Sequence, residues 1–230
     1  MMIAYIPARG GSKRIPRKNI KLLGGKPIIA HVIETAKSLD FIKKVCVSTD
    51  DLEIQNISTE YGAETGDLRA SELAGDFVDF GTLILKDVPR FTENVKDLLM
   101  ILPTAALVQQ GHYYDAFSIY QEKSPQALMS TLEYAVSPLW AMVQDKNGFC
   151  KAVHPEFIKM RSQDLPKTCV DAGLFYMMKL EQIKSIENFI ADKLLSYNVP
   201  PDIAVDVDTP ADWEQLEIFY QKQKESISLL

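Results

Sequence analysis

Ile3-Ala4-Tyr5-Ile6-Pro7-Ala8-Arg9-Gly10-Gly11-Ser12-Lys13-Arg14 joins a short apolar run, ended by proline, to a basic loop with two adjacent glycines. In doubly wound folds ligands sit at the carboxyl ends of strands, so a loop in this place is where a site is built. Glycines let the backbone approach an anion closely and turn N–H groups toward it, and Lys13 and Lys18 add mobile positive charge suited to a triphosphate. The loop fits neither the dinucleotide fingerprint nor the Walker motif. Its glycine spacing fails both, and Ser12 rather than glycine precedes Lys13. A dehydrogenase and a P-loop ATPase are therefore poorly supported.

Charge distribution around this loop points the same way. From Met1 to Ile33 there is no Asp or Glu, yet Arg9, Lys13, Arg14, Arg17, Lys18, Lys21 and Lys26 all fall there. A solvated basic face is usually interspersed with acids, so a purely basic segment in a chain of net charge −6 reads as an anion site. The same net charge argues against general nucleic-acid binding. No apolar run approaches the roughly 18 residues of a membrane span, and the chain opens directly on a strand pattern. Neither a signal peptide nor a span is expected, and the cytoplasm is the expected location. Cys46, Cys150 and Cys169 read as unpaired thiols, because a single domain of 230 residues needs no disulfide framework.

Beyond the loop, strand and helix patterns alternate. Ile28, Ile29, Val32, Ile33 and Ala36 recur at helical spacing after Pro27, and Val45-Cys46-Val47 reads as a buried strand. Ser48-Thr49-Asp50-Asp51 caps a helix to about Tyr61, a helix-start role being adequate for both aspartates. A helix over about Phe80–Val88 precedes the strand Leu98–Leu102, and another over about Tyr113–Glu122 precedes the strand Ala127–Thr131. Apolar strands separated by helices imply an α/β architecture with a mainly parallel sheet covered on both faces. The rhythm breaks over 134–170, an inserted arm, then resumes with strands at 173–178 and 203–208 and a last helix capped by Thr209, Pro210 and Asp212.

The segment from Ile6 to Asn19 strongly resembles the opening motif of CMP-nonulosonic acid synthetases, the sialic acid cytidylyltransferase family. The similarity continues through Val47-Ser48-Thr49-Asp50, Leu68 to Ala74, Leu102-Pro103-Thr104-Ala105 and the C-terminal Asp-Val-Asp-Thr-Pro, in order along nearly the whole chain. It implies a three-layer Rossmann-like nucleotidyltransferase fold and one cytidylyltransferase domain over 1–230, with the 134–170 arm serving dimerisation. It places CTP against Arg9, Gly10, Gly11, Ser12, Lys13, Lys18, Asn19, Arg69, Pro103 and Thr104, with Lys13, Lys18 and Asp208 in catalytic roles.

Asp206 and Asp208, two apart in a strand-like segment, share one side, which suits Mg²⁺ bound together with phosphates. Spacing alone leaves Asp208 equally readable as a turn residue before the Thr209 cap, whereas the resemblance implies a metal pair. Met160 to Pro166 and Asp171-Ala172-Gly173-Leu174-Phe175-Tyr176 look like the pseudaminic acid branch of the family. That assigns an acidic nine-carbon sugar to Leu102, Arg161, Gln163 and Tyr176, with Arg161 as a fork for the carboxylate. The plainer readings are a surface ion pair for Arg161 and a core aromatic for Tyr176. Leu102 stands where many relatives have Gln, and leucine cannot hydrogen-bond a sugar hydroxyl, so sialic acid itself fits less well than pseudaminic acid. Legionaminic, sialic or eight-carbon keto-deoxy acids, and a non-catalytic nucleotide-binding regulator, are the competing expectations. His31, His112 and His154 show no ligand spacing.

Overall fold

Strand β1 (Met2–Pro7) places Ala4 and Ile6 in one hydrophobic layer and Ile3 and Tyr5 in another, so the first strand is buried on both faces. This is why it reads as continuous rather than alternating apolar sequence. The computed structural model describes residues 2–75, 78–91, 95–183 and 193–228. After β1 come a minute antiparallel hairpin, β2 (Leu22–Leu23) and β3 (Lys26–Pro27), then α1 (Ile28–Lys37), β4 (Ile42–Ser48) and α2 (Leu52–Glu60). Next are α3 (Phe80–Lys86), β5 (Asp97–Ile101), α4 (Gln110–Lys123) and β6 (Ala127–Glu133). The small hairpin of β7 (Met142–Gln144) and β8 (Cys150–Ala152) precedes β9 (Cys169–Lys179), β10 (Leu194–Asn198) and α5 (Pro210–Ser228).

The main sheet has the order β10-β6-β9-β5-β1-β4. β1 pairs in parallel with β4 and β5, and β10 with β6, while β9 is antiparallel to both β5 and β6. The reversal has a simple cause. The segment between β6 and β9 holds the β7–β8 hairpin and short 3₁₀ turns instead of a crossover helix, and only a crossover can return a chain parallel. The break in rhythm over 134–170 thus marks an arm between two antiparallel strands.

One expected strand is displaced. Residues 203–208 make no sheet ladder, and the strand at the β6 edge of the sheet is β10, at 194–198. Ile203, Val205 and Val207 are buried while Asp206 is exposed, so the alternation comes from packing an extended segment over the core. The capping of α5 is as expected: the Thr209 amide donates to Asp212 at 2.6 Å, and the Asp212 amide donates to the Thr209 hydroxyl at 3.3 Å.

Helix α5 then seats on the β2–β3 hairpin. Lys21 Nζ lies 4.1 Å from the Trp213 ring centroid, and Gln223 donates to the Leu107 carbonyl at 2.9 Å. Gly24, at φ +57°, lets Tyr220 pass so close that a Cβ there would lie 2.1 Å from the ring. This seat fixes the extended segment before α5 against the loop after β1, joining the two ends of the sequence.

Candidate active site

The loops following β1 and β5 at their carboxyl ends frame one cavity of about 300 Å³. From the first loop Arg9, Ser12, Lys13, Arg14, Lys18 and Asn19 reach it. Leu102, Pro103 and Thr104 come from the second, Arg69 from the segment after α2, and Asp208 from the segment before α5. Lys13 and Asp208, 195 positions apart in sequence, therefore line the same space. An apolar wall of Leu73, Ala74, Val78, Phe80 and Leu83 closes one side. No residue of that wall beyond Leu73 and Ala74 lies in a motif quoted above.

Several loop residues brace the loop itself. The Gly10 N–H donates to Asp50 Oδ1 at 2.9 Å, and the Ser12 N–H to the Gly10 carbonyl at 3.0 Å. The Gly10 amide is thus committed to Asp50 and the Ser12 amide to a local turn, whereas the expectation set the glycine backbone against the anion. Asp50, read from sequence as a helix-start residue, holds the loop instead. Gly10 is required by proximity, since a Cβ would lie 2.8 Å from Asp51 Oδ2, whereas Gly11 faces open space. Asn19, buried, donates its amide to the Arg9 carbonyl at 2.9 Å. Arg69, only 5% exposed, donates Nε to Ser48 Oγ at 3.0 Å and its two Nη groups to the carbonyls of Ser48 and Leu73.

Arg17, held in the left-handed region at φ 57°, forks onto the carboxylate of Asp51, which also caps α2 by accepting from the Glu53 and Ile54 amides. Those Arg17 hydrogen bonds lead the causes that lower the Asp51 pKa to about 2. Its unfolded counterpart titrates near pH ~3.9, so the stabilisation is complete above that and is lost as the pH falls toward 2. Arg17→Gln is expected to cost about 1 kcal/mol at pH 6, a figure discounted for solvent screening. Urea denaturation should show that difference shrinking to nothing between about pH 4 and pH 2.

Asp208 is embedded in positive charge. Arg14 Nη2 lies 2.7 Å from its Oδ2 and Lys18 Nζ 3.6 Å from its Oδ1, while Lys18 also donates to the Val207 carbonyl at 2.5 Å. The expectation omitted Arg14 from the site. Its place within the all-basic segment was the signal available. Asp206 does not line the cavity, but it lies within electrostatic reach of Asp208, Lys18 and Arg14. Burial first, and then the Asp208 charge, raise the Asp206 pKa. Two mutually repelling carboxylates with hard oxygen donors suit a divalent cation. No cluster of three or more His, Cys, Asp or Glu able to hold a metal occurs among the described residues. Two carboxylates cannot fill an octahedral shell, so the donor set fits Mg²⁺ shared with phosphate oxygens and water.

The residues expected to bind the sugar do not all meet at the cavity of one chain. Arg161 and Gln163 sit on the arm with exposed side chains, away from the cavity wall of their own chain, and Arg161 donates Nε to Asp164 at 2.7 Å. Tyr176 is buried, and its hydroxyl donates to Asp171 at 2.6 Å. Of the expected sugar group, only Leu102 lines the cavity. Cys46 is buried, which pushes its thiol up to about 12, and Cys150 and Cys169 are exposed free thiols.

A profile of the family described as cytidylyltransferase matches residues 3–100. Over 228 residues the chain is 31% identical to pseudaminic acid cytidylyltransferase of Campylobacter jejuni subsp. jejuni serotype O:23/36 (strain 81-176), covering 97% of this chain and 98% of that protein. The chain belongs to the cytidylyltransferase family. It is also 30% identical over 237 residues to CMP-N,N'-diacetyllegionaminic acid synthase of Legionella pneumophila subsp. pneumophila, covering 98% and 99% of the two chains. Among solved structures, CMP:2-keto-3-deoxy-manno-octonic acid synthetase complexed with CTP matches with a TM-score of 0.69 at 16% identity, covering 96% of this chain and 99% of that one. That likeness bears on the fold, the three-layer Rossmann-like arrangement of nucleotidyltransferases. This cytidylyltransferase is accordingly an enzyme of the nucleotidyltransferase class. No described helix is long and apolar enough to cross a membrane.

Proposed function

We propose that the enzyme transfers CMP from CTP to the anomeric hydroxyl of a nonulosonic acid, with pseudaminic acid as the preferred sugar. The observation carrying this is the meeting of Lys13, Lys18 and Arg14 with Asp208 in one cavity, in a chain whose relatives include both a pseudaminic acid cytidylyltransferase and a legionaminic acid synthase. Such a cavity offers cations for a triphosphate and a carboxylate for the metal that accompanies it.

In the transfer, the sugar hydroxyl oxygen bonds to the α-phosphorus, the bond from that phosphorus to the bridging oxygen breaks, and pyrophosphate departs with the hydroxyl proton released. Lys13 and Lys18 neutralise charge that grows on the phosphoryl and leaving oxygens, which is where fixed cations accelerate such reactions. Asp208, with Asp206 nearby, would hold Mg²⁺. When bound, the ion draws charge from the phosphate oxygens. Thr104 and the Arg69 segment orient the nucleotide, and the apolar wall excludes water from one side.

The arm supplies a reason to propose a homodimer. Phe149, Val136 and Val143 on it are 75%, 71% and 61% exposed, an unusual amount of uncovered apolar surface on one small element. Arg161 and Gln163 share that arm, so a partner's arm would be the route by which they reach a sugar.

Leu102 sets the expected sugar preference. Pyrophosphate release measured with CTP and a panel of pseudaminic, legionaminic, N-acetylneuraminic and eight-carbon keto-deoxy acids should be highest in kcat/KM for pseudaminic acid. Leu102→Gln is expected to narrow that margin by about tenfold, the scale of one neutral hydrogen bond gained by the competing sugar. Turnover confined to the eight-carbon acid would refute the sugar class, and CTP binding with no turnover on any sugar would refute catalysis.

A further inference from the structure

Beneath the cavity, on the side of the sheet away from α1, lies a buried polar network in a layer that is otherwise apolar. Asp87, just after α3, is fully buried and is tied to Tyr5, a member of the hydrophobic cluster that also holds Ile84, Val88 and Phe91. The Tyr5 hydroxyl, from the middle of β1, donates to Asp87 Oδ2 at 2.5 Å. Arg90 places Nη2 2.7 Å from Asp87 Oδ1, an ion-pair contact that lacks hydrogen-bond alignment and leaves this buried oxygen without a hydrogen-bond donor among the described residues. The same guanidinium reaches Ser48 Oγ at 3.4 Å and the Asp67 carbonyl at 3.0 Å. Ser48 Oγ, at the end of β4, also accepts from Arg69 Nε at 3.0 Å. Arg69 is the one member of this network that lines the cavity.

A carboxylate is not left in such a place for stability alone, because an apolar substitute of similar size is often neutral or better. What it does here is electrostatic and geometric. Two guanidinium groups converge on one serine hydroxyl and repel each other, and Asp87 is the anion of the network that lets both stay. Arg90, held by Asp87, ties down the carbonyl of Asp67, two residues before Arg69. Arg69 in turn ties down the Leu73 carbonyl at the start of the apolar wall.

We propose that Asp87 is a positioning residue for nucleotide binding, acting through Arg90 and Ser48 to fix the Arg69 guanidinium and the 69–75 wall. The inference rests on the reading that this cavity takes CTP.

The test is a double-mutant cycle on CTP affinity, measured by calorimetry in Mg²⁺ with the whole chain: Asp87→Asn, Arg69→Lys and the pair together. Asp87→Asn is expected to weaken CTP about tenfold, the loss of one charge-assisted interaction, raising KM for CTP while kcat moves less than about threefold. Because Asp87 acts through Arg69, the pair should bind CTP no more than about twofold worse than the weaker single variant. Tyr5→Phe removes one donor to Asp87 without burying a charge. It should weaken CTP about threefold, an effect likewise absent in the Arg69→Lys background, and it carries the test if Asp87→Asn does not fold. Losses that multiply in the double variants, or a lowered Tm with unchanged CTP affinity, would overturn the role of Asp87. Failure of the unmodified chain to bind CTP at all would instead overturn the reading of the cavity.

Discussion

Asp208→Ala should lower Mg²⁺-dependent pyrophosphate release about a thousandfold in kcat/KM while leaving Tm within a few degrees of the unmodified protein. The scale follows from removing one carboxylate of the proposed metal site, where several kcal/mol of transition-state charge stabilisation would be lost at about 1.4 kcal/mol per tenfold. The fold should tolerate the change, because Asp208 is 40% exposed and its ion-pair partner Arg14 is 65% exposed, so the freed guanidinium is solvated rather than stranded. Asp206→Ala should be milder, since Asp206 is exposed and does not line the cavity. Full activity of Asp208→Ala would remove the metal role.

The second large effect is expected at Lys18. Its ammonium donates to the Val207 carbonyl and stands beside Asp208, so it links the basic loop to the C-terminal segment, and in the proposed reaction it would also offer charge to the phosphates. Lys18→Ala should cost about a hundredfold to a thousandfold in kcat/KM, comparable to deleting one preorganised donor at a developing anion. Lys18→Arg should recover only part of this. A planar fork replaces a point charge in a place where one donor direction is committed to a carbonyl. A plain drop in Tm with kcat/KM unchanged would reduce Lys18 to a structural tie.

Local signals carried much of this from the sequence. The strand-to-loop junction at Pro7 and the caps at Asp51 and Thr209 are each written within a few residues, and each is found in place. What escaped is written across long separations. Gly10 meets Asp50, Arg17 meets Asp51, and Tyr5 meets Asp87, and nothing near either partner announces the other. For the same reason the reading of the glycine backbone as an anion cradle does not anticipate that the Gly10 amide is held by Asp50. The segment 203–208 read as a strand because burial alternates along it, yet alternation records packing and says nothing of ladder partners. The true edge strand, Leu194-Leu195-Ser196-Tyr197-Asn198, was missed because an edge position tolerates polar residues that blur the pattern. Motif reading also leaves the places of Arg161, Gln163 and Tyr176 open. Their order in sequence resembles the family, but their positions depend on where the arm lies and on what Asp171 holds.

The most direct measurement is a crystal structure of the protein soaked with CTP and Mn²⁺ as a Mg²⁺ substitute, read by anomalous scattering. The account predicts one manganese peak within coordination distance of Asp208 and of a phosphate oxygen, with the triphosphate lying against Lys13 and Lys18. Nucleotide bound with its phosphates remote from Lys13 and Lys18, or metal with no oxygen from Asp206 or Asp208, would contradict it.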